Sequence, residues 1–149
     1  MNYMSAFHQP FIMLVDDDAH SARMLTRMLL AHGAPTVHLL DGATAADEEL
    51  DSRLNDPHAQ LPGLVIVDLK SSSTATRDYI ASLVRRPRSS ELLIVAMAPT
   101  LERSVKESLI AAGAAAVFER HATLDAYRRE SAGIVSFWVR NQRLSAVGA

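Results

Sequence analysis

Short β-prone runs alternate with longer segments of helical periodicity along this chain, and a strict alternation of that kind predicts a parallel sheet covered by helices on both faces. The first strand is predicted over residues 11–15, Phe-Ile-Met-Leu-Val. A helix over 19–32 follows, with Asp18 as N-cap, Met24, Leu25, Met28 and Leu29 on one face, and Gly33 closing it. A second strand over 36–40, an Asp41-Gly42 turn and an acidic helix over 44–55 come next. Asp47, Glu48, Glu49 and Asp51 predict a solvated face for that helix. Residues 64–67, Leu-Val-Ile-Val, are continuously apolar, as a strand buried on both faces requires, which places them at the sheet centre.

The second half repeats the rhythm. A polar loop over 71–74 leads into a helix over 75–86 stopped by Pro87, then a strand over 92–97. Pro99-Thr100 is expected to start the next helix, whose narrow apolar face carries Leu101, Val105, Leu109 and Ala112 until Gly113 ends it. A fifth strand is read over 115–118, and Thr123 caps a last helix running to about residue 144. Five strands and five helices in this order predict an α/β fold: a doubly wound, five-stranded parallel sheet, a flavodoxin-like (βα)5 sandwich.

A length of 149 residues with 48% hydrophobic content suits one domain, expected over 11–144 between short tails at 1–10 and 145–149, with no output domain. Fifteen basic against 17 acidic residues leave no electrostatic footprint for nucleic acid or an anionic membrane surface. There is no cysteine for a disulfide, a thiolate metal site or a nucleophile. Neither a signal-like start nor a run of transmembrane length is read, so a cytoplasmic location is expected.

The chemistry concentrates where two strands end in acid. Asp16, Asp17 and Asp18 follow the first strand and Asp68 the third, so parallel pairing would bring them to one sheet edge. Clustered carboxylates repel, and a bound divalent cation is the common remedy. In doubly wound sheets ligands bind beyond the strand carboxyl ends. Asp18 is better explained as a helix cap than as a ligand.

Four segments, FIMLVDDDAHSARMLTRML, LVIVDLK, LLIVAMAPT and AAGAAAVFER, resemble the successive signature regions of response-regulator receiver domains, over roughly residues 10–130. The resemblance implies that Asp68 accepts a phosphoryl group from a histidine kinase or a histidine phosphotransfer protein. It also implies that Asp16, Asp17 and Asp68 hold Mg²⁺ or Mn²⁺, with Asp17 and Asp68 as direct ligands, Asp16 acting through water, and the backbone carbonyl of Lys70 adding an oxygen. A carboxylate attacking a phosphoryl group must overcome repulsion from its oxygens, which is what such a cation relieves. A signalling protein is implied rather than an enzyme, passing its state to a downstream protein.

The departures from that family's pattern fall at the positions that report phosphorylation. The Ser or Thr expected at the end of the fourth strand is read as Met97, and the aromatic switch of the fifth strand as Val117. The usual lysine is Arg120, which keeps the charge and offers a two-pronged phosphate grip, or pairs with Asp68. The Pro after it is His121, and Ser72 and Thr76 stand where Pro and Gly usually follow the phosphoacceptor. Lys70 can reach the phosphoryl group or close a salt bridge across the site.

Elsewhere the plain structural reading prevails. Ser71 to Thr76 reads as solvated loop and cap, the six histidines lack metal-ligand spacing, and Arg85, Arg86 and Arg88 read as a solvated helix terminus. The last helix carries Leu124, Tyr127, Ile134, Val135, Phe137, Trp138 and Val139, more apolar surface than one face absorbs, so it is also a candidate homodimer or partner surface. A haloacid-dehalogenase-like phosphatase would want a second Asp where Lys70 stands. Two readings compete: a stand-alone response regulator phosphorylated on Asp68, and a phosphorylation-independent pseudo-receiver acting as a scaffold.

Overall fold

The computed structural model describes residues 9–148, with side chains through 142. Most of the expected tail at 1–10, residues 1–8, and Ala149 therefore lie outside the described residues. Five strands, β1 (Phe11–Asp16), β2 (Thr36–Asp41), β3 (Leu64–Asp68), β4 (Ile94–Ala98) and β5 (Ala116–Glu119), form one sheet in the order β2-β1-β3-β4-β5, every pairing parallel. Helices α1 (Ala19–Ala31), α2 (Gly42–Leu54), α3 (Ala75–Leu83), α4 (Arg103–Ala112) and α5 (Leu124–Gly148) separate and follow them. This is the doubly wound, flavodoxin-like arrangement the alternation predicts.

Side chains of a strand point alternately to opposite faces, and the two core layers divide on that parity. Ile12, Leu14, Leu64, Ile66, Val95 and Met97 pack beneath α1 and α5, against Leu25, Leu29, Tyr127 and Ile134. Phe11, Met13, Val15, Val65, Val67, Ala96 and Val117 pack beneath α2, α3 and α4, against Leu50, Ile80, Leu83 and Leu109. Every residue of β1, β3 and β4 is buried, which is why their runs are continuous rather than alternating. All three strands end at the same edge.

Several boundaries differ from the sequence reading, each for a local reason. There is no separate turn at Asp41-Gly42: β2 runs straight into α2, because Gly42 takes φ +86°, a conformation open to glycine. Helix α3 ends at Leu83 rather than 86, since the ring of Pro87 would clash with the carbonyl four residues back and its predecessor is driven out of the helical region. A 3-10 turn, Ser89–Glu91, then follows Arg88 at φ +65°. Helix α4 begins at Arg103, not at Pro99-Thr100; the Thr100 hydroxyl accepts the Glu102 N–H at 3.1 Å and holds an extended lead-in. Helix α5 continues to Gly148, past the expected end at 144, so residues 145–148 are helix rather than tail.

Two aromatic residues of α5 make contacts within the chain. Phe137 packs edge-on against Phe118 at 6.0 Å, and Trp138 covers Gly63, where an added Cβ would lie 3.0 Å from its indole nitrogen. The acidic face of α2 is not simply solvated either: Asp47 and Asp51 both pair with Arg86, tying α2 to the segment after α3. Among the described residues no helix is long and apolar enough to cross a membrane.

Candidate functional site

Parallel pairing sets Asp16 of β1 directly beside Asp68 of β3, and both are buried, at 2% and 0% exposure. The three neighbouring aspartates of the first loop divide their work. Asp18 caps α1, accepting the N–H of His20 at 3.1 Å and of Ser21 at 3.4 Å. Asp17 turns toward the loop after β3, where its carboxylate accepts the N–H of Lys70 at 3.0 and 3.1 Å and of Ser71 at 3.0 Å. Asp16 faces the site and accepts the Asp18 N–H at 2.8 Å and the Ser21 hydroxyl at 3.1 Å.

Two cations hold the buried acids. The Lys70 ammonium lies 2.7 Å from Oδ1 of Asp16 and 3.0 Å from Oδ2 of Asp68, and donates to the Asp68 carbonyl at 3.2 Å. From the other side Arg120 brings Nε to 2.8 Å from Oδ1 of Asp68. Its backbone N–H donates to Ala98 O at 2.8 Å, fixing it at the strand edge. Neither cation contact to the Asp68 carboxylate has the directionality of a hydrogen bond, so both oxygens of this buried group hold only charge-to-charge contacts. Burial pushes the Asp68 carboxyl above the usual carboxylate range; Lys70 and Arg120 pull it back, and Asp16 pushes it further up.

The sequence-predicted site residues thus fall into groups. Asp16, Asp68, Lys70 and Arg120 come together; Asp17 is adjacent but engaged with backbone amides. Met97 does not end the fourth strand: β4 continues to Ala98, and Met97 packs in the layer beneath α1 and α5. The end position, on the opposite face, is Ala98, which also lacks a hydroxyl. Val117 is buried in the same layer as Ala98. Thr76 is not a substitute hydroxyl, because it accepts the Leu69 N–H at 2.9 Å and donates to the Leu69 carbonyl at 3.2 Å. Beside these residues a cavity of about 490 Å³ opens between the loop after β3 and α4, lined in part by Lys70, Thr74, Arg77, Ala98, Ser104 and Arg120.

Two participants escape the sequence reading. Ser21, three residues past the cap, lies on the first turn of α1 and so points back at Asp16; the cap signal at Asp18 carried that information. Tyr127 had no local signal. It is buried on α5, its hydroxyl has no directed partner, and its phenol is pushed up by burial and by the charges of Asp68 and Asp16. His121 stands outside the acid site, its ring nitrogens 3.4 Å from Glu119 and 3.8 Å from Glu130.

Among the described residues no group of three or more His, Cys, Asp or Glu side chains is arranged to hold a metal ion. The undirected oxygens of Asp68, beside Asp16, are nonetheless the donors a hard cation takes. Their donor type would suit a divalent ion, and the Lys70 ammonium stands between them.

No family model and no curated protein matches the chain. Solved structures do. The fold is similar to the Mn²⁺-bound form of the response regulator Rcp1, at 18% identity and a TM-score of 0.71, covering 87% of this chain and 94% of that one. It is similar to the phosphorylated cyanobacterial phytochrome response regulator RcpA, at 19% identity and a TM-score of 0.73, covering 88% and 94%. A response regulator receiver domain from Rhodospirillum rubrum matches at 17% identity and a TM-score of 0.70, covering 87% and 94%. The chain has the fold of receiver domains.

Proposed function

We propose that this chain is a receiver-type signalling protein of a two-component pathway, working in the cytoplasm, that accepts a phosphoryl group on Asp68 from a histidine kinase or a histidine phosphotransfer protein. The observation that carries the reading is a buried carboxylate at the end of the central strand, gripped by Lys70 and Arg120 at 3.0 and 2.8 Å. In the transfer an Asp68 oxygen forms the P–O bond as the N–P bond of the phosphohistidine breaks, and the imidazole leaves and takes a proton from water. Arg120, which holds Asp68 from the other side, would meet the negative oxygens of the transferring group, the main electrostatic demand of such a reaction. Asp16, Asp17, Asp68 and the Lys70 carbonyl would hold Mg²⁺ or Mn²⁺, which supplies further neutralisation of those oxygens. The likeness to a phosphorylated response regulator supports the assignment. Output then passes by contact to a downstream protein.

A second reading, a module that signals without phosphorylation, is favoured by Ala98 and Val117, which offer neither hydroxyl nor aromatic ring at the reporting positions. Intact mass and amide spectra of the protein with Mg²⁺ and acetyl phosphate or beryllofluoride separate the two. An adduct present in the native chain and absent in Asp68→Asn is the expected result. No adduct in either protein would leave the second reading standing.

A further inference from the structure

The Lys70 ammonium occupies the point where two acidic strand ends converge, touching three oxygens from adjacent strands: Oδ1 of Asp16 at 2.7 Å, Oδ2 of Asp68 at 3.0 Å and the Asp68 carbonyl at 3.2 Å. Its backbone N–H donates to the Asp17 carboxylate, while its four-carbon stem retains rotatable bonds. The side chain is 23% exposed, at the rim of the pocket, and it also lines the cavity of about 490 Å³ toward α4. The cavity wall carries Thr74, Ser104 and Ser108 together with the cationic Arg77 and Arg120.

We infer that Lys70 is a tethered counter-ion that competes with a divalent cation for the acid pocket and swings into the adjoining cavity when the cation enters. One positive charge is replaced by two among carboxylates that repel one another, so exchange is favourable at sufficient ion concentration. Affinity is lowered by the fraction of molecules in which the lysine holds the pocket. The exchange moves a positive charge from Asp16 and Asp68 toward Arg77, Arg120 and the N-terminal turn of α4, whose like charge and positive helix end repel it. Pocket occupancy thereby reaches that helix by a route that needs neither a hydroxyl at Ala98 nor an aromatic ring at Val117. The inference rests on the proposed function only for the position of the ion.

Calorimetric titration of Mn²⁺ into the full chain, Lys70→Ala and Lys70→Met tests it, the methionine variant keeping an apolar stem should the alanine variant fold poorly. The variants are expected to bind Mn²⁺ about tenfold more tightly than the native chain. Mg²⁺ is expected to shift the amides of Ser104 and Ser108 in the native chain and leave them unmoved in the variants. Equal or weaker affinity in the variants, or no binding by any of the three proteins, would overturn the inference. Beryllofluoride adducts measured on the same samples keep the two proposals apart. Adducts with unchanged Mn²⁺ affinity defeat the lysine exchange alone, and tighter binding without adducts defeats the phosphoacceptor reading alone.

Discussion

Arg120 reaches Asp68 from two strands away, its Nε 2.8 Å from Oδ1, although β4 lies between β5 and β3. Ala98, at the end of the intervening β4, accepts the Arg120 N–H on its carbonyl at 2.8 Å and so fixes the start of that reach.

If that guanidinium neutralises a phosphoryl group, charge should matter more than shape. Arg120→Ala is expected to slow labelling of Asp68 by acetyl phosphate by about tenfold or more, the loss of one positioned charged donor in a partly buried site. Arg120→Lys should retain most of the rate, because it keeps the cation and sacrifices only the fork. Intact-mass time courses in the presence of Mg²⁺ read both, and equal rates in all three proteins would count against a phosphate-facing arginine.

Burial holds the Asp68 carboxyl above its ordinary value, with Lys70 and Arg120 opposing and Asp16 adding to the rise. The folded chain then binds this proton more tightly than the unfolded chain does. Stability from this group declines as pH rises from about 3.9, the ordinary aspartate value, through the raised folded value, and is flat above it. Urea unfolding of native chain and Asp68→Asn in EDTA, over a pH series, should show Asp68→Asn gaining relative stability across that window. Parallel pH profiles for the two proteins would contradict the raised value.

Thr76 holds the loop that carries Lys70, since its hydroxyl satisfies both the buried N–H and the carbonyl of Leu69. Thr76→Ala leaves that amide without a partner and should cost about 1–3 kcal/mol in urea unfolding. Thr76→Ser keeps the hydroxyl and should recover most of the loss. A family pattern places glycine here; in this chain a hydroxyl does structural service.

The legible parts of the fold were those written in local pattern. Continuous apolar runs marked β1, β3 and β4 as buried on both faces, and an aspartate before an apolar-periodic segment marked the start of α1. Boundaries slipped where one residue's steric reach extended further than its neighbours suggested, as Pro87 cutting α3 back to Leu83 and Gly42 joining β2 to α2. The expected strand end at Met97 falls one residue short of Ala98, where β4 ends, and a slip of one in a strand exchanges faces.

The order of residues by itself determined which strands carry acid at their carboxyl ends, because the apolar run and the carboxylates that close it are adjacent in the chain. Only the tertiary structure decided how those charges are met. Parallel register set Asp16 against Asp68, the loop after β3 folded onto Asp17, and the Lys70 ammonium entered between the two buried acids. Tyr127 came to the same region from α5, more than a hundred residues beyond β1. Such contacts depend on distances between groups far apart in sequence, which register and helix packing set and no local periodicity encodes.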